Sequence, residues 1–516
     1  MRKNLLALSI AAMVGGLSGA ANAQVAVFDN TLPTNTNATG FVGAISAAAP
    51  AATALAPTTT GIGHILVVPY FTTQGNYKSL LNITNTDQVN AKAVKLRYRG
   101  ASNSDDVFDI TIYLSPGDVW AAEVAADTEG FSRLVTDDNS CTLPSKAEIK
   151  AANNGRFKTN RVKNADAAQT REGYIEILNS ADVPPGSALY TAIKHNAEGV
   201  APCTAAVMDL QATPLNFTDA TSSNTPKNRG YSWPTGGLMA NWLNVDVANT
   251  ASFSGEAVAL RGSTVVGGIN LIDVATSGNL VWFPQTTDNV SLADTKTLTA
   301  DPLLAGGYVR AAMYDFPDLS TPYTSAAANL PGTQASILAA QLQTLSVTNE
   351  YLTSQTSGGF ATDWVFSMPT RRYAVAMDYA AGDAIRANPA VNAHFGDGNV
   401  TKNAKSQICV DLGTQRGFDR EERSKNTFVI SPDAALSFCG EVSVLTFNGT
   451  AKNPEASDVF GAKIATQRIQ TSFGEGWFTI NTPGRTNVGL PIVGYAASKS
   501  NFGNLGGTWV HRTKPR

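Results

Sequence analysis

Apolar and polar residues alternate with a period of two over two neighbouring stretches of this chain. In Lys92 to Arg99, Val94, Leu96 and Tyr98 alternate with Lys95, Arg97 and Arg99. In Val107 to Leu114, Phe108, Ile110, Ile112 and Leu114 alternate with Asp109, Thr111 and Tyr113. Successive side chains of a strand point to opposite faces, so this pattern predicts strands with one buried and one wet face. The intervening GASNSDD is turn chemistry, which joins the two as an antiparallel hairpin. Its wet face is expected to bring Lys95, Arg97 and Arg99 near Asp105, Asp106 and Asp109, worth about 0.2–1 kcal/mol per pair.

The same texture runs along most of the chain. His64 to Phe71, Leu80 to Thr84, Val119 to Val124, Gly173 to Leu178, Leu238 to Val247, Glu256 to Gly262 and Leu280 to Phe283 read as strands between Gly-, Asn-, Ser- and Thr-rich turns. Strands return from Asp363 to Tyr379, around the turn Met368-Pro369-Thr370, and again through Trp477 to Ile480 and Pro491 to Tyr495. Leu80 to Gly100 faintly echoes Trp242 to Gly262, each a Leu-Asn strand, a polar turn and an Ala-Val-x-Leu-Arg strand. The clearest helical period is Thr333 to Thr344. Short strands at this spacing predict a mostly β, multi-domain protein of sandwich or jelly-roll type, with long loops and one or two short helices. The expected segments are a leader (1–23), an extended Ala/Thr/Pro-rich arm or linker (24–60), a sandwich domain (61–215), a second β region (216–330) and a C-terminal β-rich region (331–516). Within the arm, Val25 to Phe28 is apolar enough to add a strand to a neighbouring sheet.

The first 23 residues change the picture of where the chain works. Arg2 and Lys3, the apolar run Leu5 to Val14, and Ala21-Asn22-Ala23 before Gln24 have the order of a secretory signal, with cleavage expected between Ala23 and Gln24. Gly15, Gly16 and Gly19 break the apolar run short of the roughly 20 residues that span a bilayer. An exported chain with four cysteines favours disulfides. Cys141–Cys203 and Cys409–Cys439 are the expected pairs because each lies within one apparent domain. Each would stabilise by roughly 4 kcal/mol on the chain-entropy account. No C-x-x-C occurs, which argues against a structural zinc site. Charged residues make up 15% of the 516, and 38 basic residues face 41 acidic ones. That balance excludes nucleic acid as an expected partner, since phosphate binding needs a concentrated basic surface.

Chemistry is sparsely signalled. No Walker A loop, G-x-G-x-x-G, H-E-x-x-H, G-x-S-x-G or S-x-x-K occurs. A serine–histidine–carboxylate arrangement would have to recruit His64, His195, His394 or His511. A glycosidase would have to pair carboxylates such as Glu123, Glu172, Glu176, Asp315 and Asp318, and sequence spacing selects no pair. Calcium is the candidate cofactor, with oxygen donors from Asp105, Asp106, Asp109, Asp315 and Asp318; Asp137-Asp138-Asn139 is a further cluster, and none matches an EF-hand loop. The tail HRTKPR ends in Arg516 rather than in an aromatic strand, unlike an outer-membrane barrel.

The stretch from Gly63 to Trp120 resembles the N-terminal region of a family of exported surface proteins of Gram-negative bacteria. REGYIEIL (Arg171 to Leu178) and TDWVFSMPTRRYAV (Thr362 to Val375) resemble further segments of that family, in the same order. The similar characterised members are surface-layer-type proteins that coat outer-membrane tubules called nanopods. The resemblance covers about a sixth of the chain and implies a self-assembling structural coat, with copies of itself as partners, the outer-membrane surface or its glycolipid as support, and no catalytic residues. The alternative expectation is a secreted glycan- or ligand-binding protein, with Tyr231, Trp233, Trp242 and Trp282 as candidate groove aromatics. A secreted hydrolase and an outer-membrane barrel are the remaining alternatives.

Overall fold

The computed structural model describes residues 54–213, 222–224, 227–232, 234–266, 269–272, 318–319, 331–353, 359–379, 381–388, 392–431, 435–448, 456–500 and 505–514. The expected leader, Val25 to Phe28, Leu280 to Phe283, Trp233 and Asp315 lie outside them. Within them the chain is mostly β with short helices.

The expected hairpin forms. Ala91–Gly100 pairs antiparallel with Asp106–Leu114, placing Arg97 opposite Asp109 and Arg99 opposite Asp106. It belongs to an eight-stranded sheet in the order Ala54–Pro57, Val258–Val266, Ile65–Thr72, Glu172–Val183, Ala91–Gly100, Asp106–Leu114, Cys141–Leu143, with Ile269–Ile272 paired to Val258–Val266. A five-stranded sheet runs Ala251–Glu256, Leu238–Asp246, Tyr77–Asn85, Val119–Ala126, Ser132–Val135. Val94, Leu96 and Tyr98 of the first sheet share one core with Leu81, Ile83 and Trp120 of the second, a sandwich arrangement. Strands from 238–272 hydrogen-bond into both sheets, and Ala54–Pro57, expected within the arm, closes an edge of the first. The two echoing stretches each start in the five-stranded sheet, where their first strands pair with each other, and end in the eight-stranded one. Gly173 allows Glu172–Val183 to approach its neighbour Ala91–Gly100 closely, since a Cβ there would lie 1.7 Å from the Arg99 carbonyl oxygen.

Residues 331–514 form two more large sheets. A six-stranded sheet runs Val429–Ser431, Thr466–Gln470, Val442–Phe447, Phe360–Ser367, Val493–Ser500, Gly506–Val510. A five-stranded one runs Ser424–Lys425, Gln415–Phe418, Glu475–Asn481, Ser346–Leu352, Arg512–Lys514. Trp364, Phe366, Phe447, Phe478 and Ile480 fill the core between them. The helix expected over Thr333 to Thr344 spans Pro331–Leu342 and buries Ala335, Leu338 and Leu342. An aromatic seam joins this half to the sandwich. Phe460 lies 5.7 Å from Tyr77 and 5.1 Å from Phe253, Trp242 lies 4.5 Å from Tyr495, and Tyr77 donates a 2.7 Å bond to the Val459 carbonyl. Each large sheet has two ends, and no helix among the described residues is long and apolar enough to cross a membrane.

Both disulfides join the pairs expected from sequence. Cys141–Cys203 ties a sheet edge to the residue before the N-cap of a short helix, and Cys409 and Cys439 face each other in register on adjacent strands. They place the chain in an oxidising compartment. Just after Cys141, the helix Lys146–Asn153 is started by a capping box. Ser145 Oγ accepts from the Glu148 N–H and the Glu148 carboxylate accepts from the Ser145 N–H. Ser145→Ala is expected to destabilise by about 1 kcal/mol, seen as a lower urea midpoint at unchanged slope. An unmoved midpoint would mean that packing and the disulfide hold the helix without its cap.

The last described strands form an exposed ribbon. Gly506–Val510 ends the six-stranded sheet and Arg512–Lys514 ends the five-stranded one, with buried His511 at the bend between them. Along it Leu505 is 71%, Trp509 44% and Val510 79% exposed, the last two values large for apolar side chains on a strand.

Candidate functional site

The charged face of the hairpin is the largest departure from the sequence reading. It is not wet. Lys95 is 0%, Arg97 1%, Arg99 1% and Asp106 7% exposed, and residues from the C-terminal half reach the hairpin at its turn. Arg97 and Arg161 both donate to Asp106 Oδ2, the latter at 2.7 Å, and Lys95 donates to Asp109 at 2.8 Å. Arg99 Nε donates to Glu176 Oε1 at 3.1 Å, and its Nη2 lies 3.7 Å from Asp318. Asp105 accepts from the Tyr379 hydroxyl at 2.8 Å. The candidate calcium ligands therefore face guanidinium, ammonium and phenol groups, with Asp315 outside the described residues. No group of three or more His, Cys, Asp or Glu suited to a metal occurs among the described residues.

The C-terminal half supplies its own ions. Fully buried Arg371 donates from Nε to Glu441 Oε2 at 2.7 Å and from Nη1 to the Ile408 carbonyl at 3.1 Å, while the Arg372 N–H donates to Glu441 Oε1. Glu441 in turn donates its own N–H to the carbonyl of Ala101, in the hairpin turn. Burial pushes the Asp106 carboxyl up to about 6, opposed by the guanidiniums of Arg97, Arg161 and Arg99. Burial also raises Glu441, opposed by Arg371. Lys95, Arg97, Arg99, Arg161, Arg371 and Arg372 thus meet Asp105, Asp106, Asp109, Glu176, Asp318 and Glu441 in a charge-balanced seam. The three stretches that carry the sequence resemblance converge here: the first brings the hairpin, the second Glu176, the third Arg371 and Arg372. Most of these ion pairs close within one half, where a buried charge left without its partner is strongly destabilising; the halves themselves meet here through the Glu441 N–H on Ala101, the Tyr379 hydroxyl on Asp105 and the Lys163–Asp383 ion pair.

The histidines are placed as structural groups. His511 Nε2 donates to the Val365 carbonyl at 3.0 Å, its Nδ1 faces the Asn349 amide at 3.1 Å, and its ring stacks on Phe366. Burial lowers it to about 3. His64 accepts from the Gly262 N–H and is likewise lowered to about 3, by burial and then by Lys92 and Arg261. His394 is buried against the Gly489 carbonyl. His195 lies beside Ser115 and Asp118, but Ser115 Oγ (2.8 Å) and Asp118 Oδ2 (3.4 Å) both contact Nδ1. A hydrolytic relay needs the carboxylate and the hydroxyl on opposite ring nitrogens, so these three do not form one. Of the candidate glycosidase acids, Glu123 pairs with Lys78 at 2.6 Å, and Glu172 is buried, accepting from Gln74, Tyr70 and the Lys463 N–H.

Aromatic residues divide otherwise than expected. Tyr231 and Trp242 are 2% and 4% exposed and belong to the core, whereas Trp477 and Trp509 are 39% and 44% exposed. The signal for Trp477 was the alternation of Glu475-Gly-Trp-Phe-Thr-Ile, in which Phe478 and Ile480 are the inward set. Set against family models, curated proteins and solved structures, the chain matches none.

Proposed function

We propose that this chain is an exported, non-catalytic structural protein that assembles with copies of itself at the surface of a Gram-negative cell. The observation that carries the reading is the exposed terminal ribbon, where two sheets end in strands bearing Leu505, Trp509 and Val510 towards solvent. Natural edge strands are usually short, charged or covered, because an open edge pairs with another chain. Arg512–Lys514 follows that rule; Gly506–Val510 lies beside Ala251–Glu256, Thr508 donating to the Ser254 carbonyl at 2.6 Å, yet it still presents Trp509 and Val510 to solvent. An apolar edge that meets a different patch on the next copy makes a heterologous contact, and such contacts propagate into rings, tubes or sheets. The two disulfides and the sequence resemblance to surface-layer-type proteins support the same reading.

Negative-stain electron microscopy and sedimentation of the purified chain, with millimolar calcium and with EDTA, test it. Ordered assemblies are expected, and Val510→Lys is expected to disperse them with the far-UV spectrum unchanged. Loss of order in EDTA alone would assign a divalent ion to the contacts. Monodisperse wild-type particles in both conditions would overturn the reading.

A further inference from the structure

The outer face of the C-terminal five-stranded sheet carries a second surface, which shares Arg512 with the ribbon of the assembly reading. Phe418 and Trp477 stand opposite each other on neighbouring strands, their rings parallel within 10° and 4.2 Å apart. The Arg416 guanidinium lies 5.9 Å from the Phe418 ring on the side chain's own strand, and Phe418 is the one ring partner of Trp477 among the described residues. The next cross-strand row is Arg416, Thr479, Thr348 and Arg512, with the two threonine hydroxyls 2.9 Å apart. Three strand spacings of about 4.8 Å put Arg416 and Arg512 about 14 Å apart at the backbone. Both are exposed, and Glu350, opposite Trp477, is the one carboxylate in these two rows.

A sheet face with an indole stacked on one side by Phe418 and free on the other, with hydroxyls and flanking guanidiniums, suits a particular ligand class. Sugar rings present C–H faces that pack on aromatic rings and hydroxyls that bond to polar side chains. Guanidiniums select carboxylate or phosphate groups through charge-assisted bonds. A second copy of the chain is the competing occupant, since protein interfaces are enriched in Trp, Phe and Arg; the paired threonine hydroxyls and the two exposed guanidiniums favour a polyhydroxylated anion. We propose that this face binds an anionic glycan, with a sugar ring laid on Trp477 and the anionic groups held by Arg416 and Arg512.

Titration calorimetry of the purified chain with tetragalacturonate, and with maltotetraose as the neutral counterpart, tests the proposal. Tetragalacturonate is expected to bind at least about tenfold tighter than maltotetraose, and to weaken in about 0.5 M salt, where the screening length is about 4 Å. Trp477→Ala and, on the exposed edge, Arg512→Gln are each expected to lower its affinity about tenfold or more. Arg512 is exposed and its replacement loses only a 3.4 Å bond to Asn349 Oδ1, so Arg512→Gln keeps the test open should Trp477→Ala fail to fold. Equal affinity for the two sugars, no binding, or full binding by both variants would overturn the proposal. So would a variant whose sedimentation changes while its sugar affinity does not, because the face would then be a contact between copies.

Discussion

Replacing Glu441 with alanine is expected to lower the unfolding free energy by about 3–5 kcal/mol. Glu441 is fully buried and accepts from both Arg371 Nε and the Arg372 N–H. Its removal leaves the Arg371 guanidinium in a dry interior with its charge uncompensated, while the bond to the Ile408 carbonyl alone persists. Against a typical total of about 5–15 kcal/mol, that is a large share. The paired replacement Arg371→Met with Glu441→Leu is expected to regain most of the loss, because an apolar pair of similar volume removes both charges together. Urea unfolding followed by tryptophan fluorescence reads both variants. A loss under about 1 kcal/mol for Glu441→Ala would show that the seam behaves as an exposed pair does.

Acid is expected to destabilise the chain through His511. Its folded value is about 3 and its ordinary value 6.5. As pH falls through 6.5 the unfolded chain takes up a proton that the folded chain refuses, so stability present at neutral pH is lost downward from there. Between about pH 7 and pH 5 this one group accounts for about 2 kcal/mol. Asp363 works in the opposite sense, since burial pushes it up to about 6 and the folded state binds the proton first as pH falls. The whole-chain profile therefore mixes these with His64, which acts in the sense of His511, and Asp106, which acts in the sense of Asp363. Comparison with His511→Gln isolates the histidine: any constant offset from lost stacking on Phe366 cancels, and the gap between variant and wild type is expected to move by about 2 kcal/mol in favour of the variant. Parallel curves for the two proteins across this range would show that His511 takes up protons equally in both states.

What sequence conveys about this chain is local. Turn residues and period-two alternation locate the hairpin of Ala91–Gly100 and Asp106–Leu114, and period 3.6 locates Pro331–Leu342 within two residues. Alternation states that the two faces of a strand differ; it does not state what lies over each. Lys95 and Arg97 do meet Asp109 and Asp106 of the hairpin, but they read as solvated because nothing local shows what else packs on that face: Arg161 and Glu176 arrive from other parts of the sandwich, and Tyr379 and Glu441 reach the hairpin turn from the far half of the chain. The same blindness sorted the aromatics wrongly, since Trp242 and Trp477 stand in similar alternating runs and distant packing decides which is covered. The helix Lys146–Asn153 is a different case. Its Ser145-x-x-Glu148 signal is present, but its eight residues are too few for apolar periodicity to stand out.

The aromatic seam bears on the order in which the chain is made. Tyr77 and Val459 are hydrogen-bonded across 382 residues, and Glu172 and Lys463 across 291. The sandwich near the N-terminus thus lacks part of its own core until Phe460 has been synthesised. Contacts this distant in sequence form slowly, and a half-finished sandwich exposes Tyr77, Phe253 and Trp242 to whatever meets it first. Completion of the sandwich core therefore waits for the far half of the chain, which is the last part to be made.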